Sequence, residues 1–107
     1  MSTTRSVRDL VSVLDRAIRE ALAETLPDPP HDPLARARHA KTCVAEALDA
    51  TRAGDFPVPP AALACLDAAC EHLEYGELLE ARTLLTAARG QLAAGHRTHG
   101  RDHAAAG

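Results

Sequence analysis

Residues 78–92 read LLEARTLLTAARGQL, and this stretch decides the fold class. Its apolar residues recur every three or four positions, at Leu78, Ala81, Leu85, Ala88 and Leu92. At about 100° per residue, this spacing lines up one face of a helix. The stretch therefore predicts an amphipathic helix that buries a Leu/Ala stripe.

The same stripe recurs in three earlier blocks, and Pro or Gly separates each block from the next. The predicted helices are residues 4–26, 33–53, 60–75 and 77–94. Because short connections make successive helices neighbours, these blocks predict an all-α, antiparallel four-helix bundle. The predicted stripe of the first helix is Val7, Leu10, Val11, Leu14, Ile18, Ala21, Leu22 and Thr25. That of the second helix is Leu34, Ala37, Val44, Leu48 and Thr51. That of the third helix is Leu63, Leu66, Ala69, Cys70 and Leu73.

Turn and capping residues set the helix boundaries. Asp32 is a predicted N-cap, and Pro33 suits the first helical position. Gly54 is the predicted C-terminal cap of the second helix. Residues 55–60 predict an extended linker, and Phe56, the only phenylalanine, is expected to plug one end of the core.

A chain of 107 residues corresponds to one domain. Residues 1–94 are predicted to form it, and residues 95–107, which lack a stripe, are predicted to be a flexible tail. With one Phe, one Tyr and no Trp, the core must consist of Leu, Val, Ile and Ala. Such a core buries little area per residue, so uncovered helix faces would favour a homodimer or a protein partner.

Charge and composition exclude several classes of partner. The net charge of −3 and a pI near 6.0 disfavour nucleic-acid binding, which needs a basic surface. No apolar run reaches the roughly 18 residues of a membrane span. The first residues do not resemble a signal peptide, and three cysteines are an odd number. We therefore expect a cytoplasmic protein with reduced thiols and no membrane association.

The cysteines and histidines do not predict a metal site. Cys70 falls on the Leu face of the third helix, where a thiol acts as a small apolar residue. Cys65 and His72 share another face but are separated by about 10 Å of helix rise, too far for one zinc ion. His96, His99 and His103 would align only on a helix that two glycines disfavour. We predict no metal and no cofactor.

Four arginines form a ridge on the first helix. Arg5, Arg8, Arg16 and Arg19 project within roughly 80° of one another, opposite the apolar stripe. The ridge could bind phosphate groups or an acidic protein. The alternative is a solvated helix face on which arginines pair with neighbouring carboxylates at little net gain. Those carboxylates are Asp9, Asp15 and Glu20.

Two further features favour a protein partner. Leu79 projects away from the stripe of its own helix, and Ala61, Cys65 and Ala68 give the third helix a second apolar face. A helix that is apolar on two sides is either sandwiched within the bundle or covered by a partner. These residues are therefore candidates for partner binding.

No catalytic motif is present, and none of the residues is predicted to be catalytic. The leading hypothesis is a small non-enzymatic accessory or binding protein. One alternative is a small enzyme that uses polar groups of the bundle interior or the Cys/His set. Others are a regulator that docks an acidic partner on the arginine ridge, and a protein that binds a small hydrophobic ligand.

The chain has three resemblances to known families. Residues 73–82, LEYGELLEAR, resemble the turn of a tetratricopeptide-type hairpin, although only one such hairpin is present and stacking needs about three. Arg97 and His103 have a spacing similar to the Arg–His signature of helical-bundle ribonucleases of the HEPN type. Residues 37–47, ARHAKTCVAEA, and 66–74, LDAACEHLE, carry the third resemblance through Cys43 and Cys70.

This third resemblance covers more of the chain than the other two, because it runs from the predicted N-terminal amphipathic helix to the third helix. It is to an uncharacterised family of small actinobacterial helical proteins that are labelled as associated with natural-product biosynthesis. It implies an accessory protein of a biosynthetic cluster and supplies no catalytic residues.

Overall fold

Four α-helices make up the fold. A computed structural model describes residues 7–26, 32–54 and 58–106, without the side chains of Val7 and residues 95–106. The helices are α1 (Val7–Glu24), α2 (Pro33–Ala53), α3 (Pro60–Glu74) and α4 (Leu78–Ala106), and these ranges contain no strand. The all-α, four-helix prediction is confirmed.

The predicted caps of α2 are confirmed. The Asp32 side chain accepts a hydrogen bond from the Leu34 N–H at 3.1 Å, and Pro33 is the first helical residue. At the other end, the Gly54 N–H donates to the Ala50 carbonyl at 3.0 Å. Helix α2 therefore has the predicted bounds. The predicted plug, Phe56, lies outside the described residues.

Helix α4 is longer than predicted, because its backbone continues to Ala106 instead of ending at residue 94. A glycine within a helix costs about 1 kcal/mol relative to alanine. Unlike proline, it keeps its N–H donor and does not clash with the preceding turn. Gly95 and Gly100 therefore weaken the helix without ending it. The predicted flexibility of residues 95–107 stays a prediction.

The helices pack in the order of the chain. Packing is most extensive between α1 and α2 and between α3 and α4. Helices α2 and α3 also pack together, as do α1 and α4. Leu10 near the start of α1 lies against Gly54 at the end of α2. At the other end of the same pair, Glu24 forms ion pairs with Arg36 and His39. These contacts show that α1 and α2 run in opposite directions. An antiparallel arrangement of all four helices stays a prediction.

Among the described residues, the buried side chains are aliphatic, apart from two threonines. The Thr25 and Thr51 hydroxyls each donate to a backbone carbonyl of the preceding turn at 2.7 Å, so their burial leaves no unpaired hydroxyl. The stripes are largely confirmed, and the largest fully buried side chains are Leu10, Leu14, Ile18, Val44, Thr51, Leu66, Leu73 and Leu85.

One stripe residue is placed differently from the prediction. Leu34, in the first turn of α2, is 48% exposed instead of buried. The core also contains alanines that the stripes omitted, since small side chains let helices approach closely at positions that periodicity alone does not single out. These alanines are Ala17, Ala40, Ala47 and Ala62.

None of the helices, over the described residues, is both long and apolar enough to cross a membrane.

Candidate functional site

The connection between α3 and α4 is a tightly hydrogen-bonded corner. Gly76 has a φ of 73°, a left-handed conformation that glycine adopts at little cost. Its N–H donates to the Leu73 carbonyl at 3.1 Å, and the Glu77 N–H donates to the His72 carbonyl at 2.9 Å. These two bonds form a Schellman motif, which ends α3 and fixes the direction in which α4 begins.

Side chains reinforce this corner. His72 Nδ1 lies 2.7 Å from Glu77 Oε1, so the two residues that the motif pairs through their backbones also pair through their side chains. Tyr75, the only tyrosine of the chain, immediately precedes Gly76, and Leu79 follows in the first turn of α4. The corner thus holds two large apolar side chains on a defined backbone.

Four large apolar side chains are exposed in the described part of the chain, and we call them the end patch. Tyr75 is 71% and Leu79 is 70% exposed, while Leu34 and Leu26 are 48% and 45% exposed. Burying one such side chain stabilises a folded protein by about 1.5–3 kcal/mol. The chain lacks this stabilisation while these four side chains are exposed. A cluster of this kind is typical of a surface that binds another molecule.

Contacts place all four residues at one end of the bundle. A Cβ atom on Gly76 would lie 2.8 Å from Leu34 Cδ2, so the start of α2 meets the α3–α4 corner. Arg36 donates a hydrogen bond from Nη2 to the Leu26 carbonyl, which brings the end of α1 to the same place. Since side chains of a helix tilt toward its N-terminus, Leu34 and Leu79 both lean outward at this end.

The charges around the end patch are segregated. From residue 53 to residue 81 the sequence contains six carboxylates and neither lysine nor arginine. Three of these carboxylates, Glu74, Glu77 and Glu80, flank Tyr75 and Leu79, and the cation Arg82 lies three residues after Leu79. The start of α2, beside Leu34, instead carries the cations Arg36, Arg38 and Lys41, together with the N-cap carboxylate of Asp32.

Some of these charges are already paired within the chain. Lys41 Nζ donates to Glu74 Oε2, a hydrogen bond that raises the pKa of the Lys41 ammonium and lowers the pKa of the Glu74 carboxyl. Arg36 pairs with Glu24. Among the ion pairs between described residues, neither Arg38 nor Glu80 has a partner. Arg82, exposed on α4 one turn after Leu79, is likewise absent from these pairs.

The sequence-predicted candidates on α3 and α4 differ in exposure. Leu79 projects away from the core, as expected. Ala61 is also exposed, whereas Ala68 is half-buried and Cys65 packs against the core. Part of the second face of α3 is therefore covered by the chain itself, and a role of these residues in partner binding stays a prediction.

The arginine ridge of α1 lies on the surface. Arg8, Arg16 and Arg19 are exposed, and Arg5 lies outside the described residues. Arg19 forms an ion pair with Asp15 at 3.2 Å, which agrees with a solvated face. Asp15 also accepts a hydrogen bond at 2.9 Å from Nε of Arg89 in α4, so this carboxylate is shared between two guanidinium groups.

The structure brings together a thiol, an imidazole and a carboxylate that sequence analysis did not connect. His39 Nδ1 contacts Glu24 Oε2, and His39 Nε2 lies 3.8 Å from the sulfur of Cys43. The spacing His39-x-x-x-Cys43 on one helix was the available signal. Burial raises the pKa of the Cys43 thiol, and the Glu20 carboxylate raises it further. This environment keeps the sulfur protonated, whereas a nucleophilic cysteine needs its thiolate form.

The remaining Cys/His candidates do not converge on one point. Burial also raises the pKa of the Cys70 thiol, and the negative charge of Asp67 adds to this effect. His72 is engaged with Glu77 and not with Cys65. Over the described residues, no three His, Cys, Asp or Glu side chains are arranged to hold a metal ion.

Surface grooves lie between helices in the described part of the chain. One of about 530 Å³ lies between α1 and α4, with Val11, Asp15 and Arg89 among its lining residues. Another, of about 470 Å³, lies between α2 and α3 and includes Leu34, Arg38, Lys41, Leu73 and Glu74. The second groove is continuous with the end patch, because Leu34 belongs to both.

In comparisons with known proteins, no protein-family model, curated protein or solved structure matches the chain significantly. The fold and the exposed end patch therefore define the chain only as an all-α four-helix protein with a candidate interaction surface. Leu79 of this surface was predicted from the sequence as a partner-binding residue. Tyr75, Leu34 and the uneven charge distribution were not, although the run without basic residues from 53 to 81 could have indicated the latter.

Proposed function

We propose that this chain is a small non-enzymatic accessory protein that works by binding another protein through the end patch. The observation that carries the proposal is the exposure of Tyr75 and Leu79 at the corner between α3 and α4. A tyrosine in a rigid setting makes a good binding anchor, because little conformational freedom is lost when it is covered, and Leu79 adds apolar area beside it.

The setting of the two side chains supports this role. The Schellman motif and the His72–Glu77 contact hold the corner, so Tyr75 and Leu79 are presented on a preorganised backbone. Surrounding carboxylates keep the corner hydrated while it is uncovered. An apolar centre with a charged rim is the usual composition of a protein–protein interface.

The bundle interior gives less support to the alternative of an enzyme assembled from buried polar groups. Among the described residues, the buried polar side chains are Thr25 and Thr51, and both hydroxyls are engaged by backbone carbonyls. The Cys43 thiol lies among carboxylates that disfavour its thiolate. A cytoplasmic location and an accessory role in natural-product biosynthesis stay predictions from the sequence.

Site-specific photo-crosslinking in the native host would test the proposal. A photoreactive amino acid at position 79 should give discrete crosslinked protein species, which mass spectrometry then identifies. The matched control carries the same group at position 87, an exposed site two turns further along α4. Substituting Tyr75→Ser should remove the crosslinks formed at position 79. Their absence at position 79, or equal crosslinking at position 87, would contradict the proposal.

A further inference from the structure

We propose that the partner of the end patch is a second copy of this chain, held in a two-fold symmetric dimer. This inference rests on the proposed function, because it names the occupant of the same surface. It follows from the way in which charge is distributed across the end patch.

The two halves of the end patch have opposite charge. Leu34 lies beside the cations at the start of α2, and Tyr75 and Leu79 lie beside the carboxylates of the α3–α4 corner. A partner with only basic or only acidic charge would match one half and be repelled by the other. A second copy, rotated by two-fold symmetry, matches both halves at once, since each half of one copy then faces the opposite half of the other.

The charges without an internal partner specify the pairing. Lys41 is occupied by Glu74, Arg36 by Glu24 and Glu77 by His72. Among the described residues, Arg38 on the basic half and Glu80 on the acidic half take part in none of these ion pairs, and neither does Arg82 one turn after Leu79. In the dimer, Arg38 of each copy pairs with Glu80 of the other, so symmetry forms this pair twice.

The apolar side chains form the centre of the same contact. Leu34 lies against Gly76, the residue after Tyr75, so the first turn of α2 meets the corner that carries Tyr75 and Leu79. A stable interface covers about 800 Å² on each partner. Four partly exposed side chains supply only part of such an area, so the dimer should be weak and reversible, with a dissociation constant in the micromolar range.

Sedimentation velocity of the purified full chain tests the dimer. With rising concentration, the mass should shift from the monomer value of 11.3 kDa toward twice that value. High salt should weaken the association, because it screens exposed charge pairs. The double variant Tyr75→Ser/Leu79→Ser should stay monomeric over the same concentration range.

A charge exchange tests the pairing itself. Arg38→Glu and Glu80→Arg should each raise the dissociation constant by about tenfold, since each places like charges opposite one another twice. The double variant Arg38→Glu/Glu80→Arg should return it to within about threefold of the original, because every pair is again opposite in sign. Arg16→Glu, the same reversal on an exposed site of α1, is the matched control and should change nothing.

Three results would overturn the dimer. The chain could stay monomeric at all concentrations, or the end-patch variants could leave its association unchanged. Alternatively, the charge-exchanged double variant could have a dissociation constant as high as those of the single variants. The same results leave the proposed function testable on its own. If position 79 crosslinks to a different protein while the purified chain is monomeric, the end patch binds a partner and the two-fold inference fails. If neither association nor crosslinking occurs, both proposals fail.

Discussion

Gly76 lies directly against Leu34, so close that a Cβ atom on the glycine would lie 2.8 Å from Leu34 Cδ2. This contact joins the α3–α4 corner to the first turn of α2. It also places Leu34 beside the corner that carries Tyr75 and Leu79. Glycine at this position thus serves both the left-handed backbone and the close approach of a neighbouring helix.

The two roles of Gly76 predict a loss of stability on substitution. Gly76→Ala would place a side chain on a left-handed residue and push Leu34 aside, and should lower the free energy of unfolding by about 1–2 kcal/mol. Gly90→Ala is the matched control, since nothing lies within 4 Å of its added Cβ. In mid-helix it should raise the free energy of unfolding by about 0.5–1 kcal/mol. Urea denaturation measures the free energy of unfolding of both variants. Changes of the same sign in the two variants would contradict the two roles of Gly76.

Two leucines of α4 should respond very differently to truncation. Leu85 is fully buried, so Leu85→Ala leaves a cavity and should lower the free energy of unfolding by about 2–5 kcal/mol. Leu79→Ala, at an exposed site, should change it by no more than about 0.5 kcal/mol. Chemical denaturation at a concentration that keeps the chain monomeric makes the comparison. A large loss for Leu79→Ala would assign this side chain to the fold instead of to binding.

The Cys43 and Cys70 thiols should be slow to alkylate. Both pKa values are raised, first by burial and then by nearby carboxylates, so the reactive thiolate is scarcer at any given neutral pH. At pH 8, iodoacetamide should modify both sites more slowly in the folded chain than in the unfolded one. Mass spectrometry of a time course resolves the two sites. Faster modification in the folded chain would show that the pKa shifts have the opposite sign.

A substitution separates the carboxylate effect from burial. Glu20→Gln removes a charge that raises the pKa of Cys43, and should therefore speed alkylation of Cys43. Cys70 is the internal control, because its neighbouring carboxylate is Asp67. Equal acceleration at both sites would indicate general loosening of the bundle.

The raised thiol pKa values also predict how stability depends on pH. Since the folded chain holds these protons more tightly than the unfolded chain, their stabilising contribution is complete below the thiol pKa of the unfolded chain, about 8.5. It should be lost as the pH rises from there through the folded-state values. Denaturation between neutral and alkaline pH measures this loss, and the variant Cys43→Ala/Cys70→Ala should reduce it. An equal pH dependence in that variant would assign the loss to other groups.

The arginine ridge should contribute little to folding. Arg8 and Arg16 are exposed on α1, so the double variant Arg8→Glu/Arg16→Glu should change the free energy of unfolding by no more than about 0.5 kcal/mol. Arg19→Glu, which replaces the partner of Asp15 by a like charge, should cost more. Thermal and chemical unfolding provide the values. A marked loss for the first variant would assign the ridge to structure and not to an anionic partner.

The apolar periodicity determined the fold class because it acts within each helix. The spacing of Leu78, Ala81, Leu85, Ala88 and Leu92 requires one buried face, whichever helix covers it. Local caps were equally readable, since the Asp32 side chain and Pro33 act on the backbone of their own turn. The end of α4 was misplaced because a lone glycine weakens a helix without stopping it.

The candidate site was decided by the tertiary structure, because its residues are distant in sequence. Periodicity assigned Leu34 to the core, and only the meeting of α2 with the α3–α4 corner shows that it lies at an open end. The contact of Glu24 with His39, and the segregation of Arg38 from Glu80, likewise depend on which helices are neighbours. The sequence by itself thus determined that four helices form and which face each one buries. The tertiary structure alone decided which side chains remain uncovered together, since exposure depends on where neighbouring helices end.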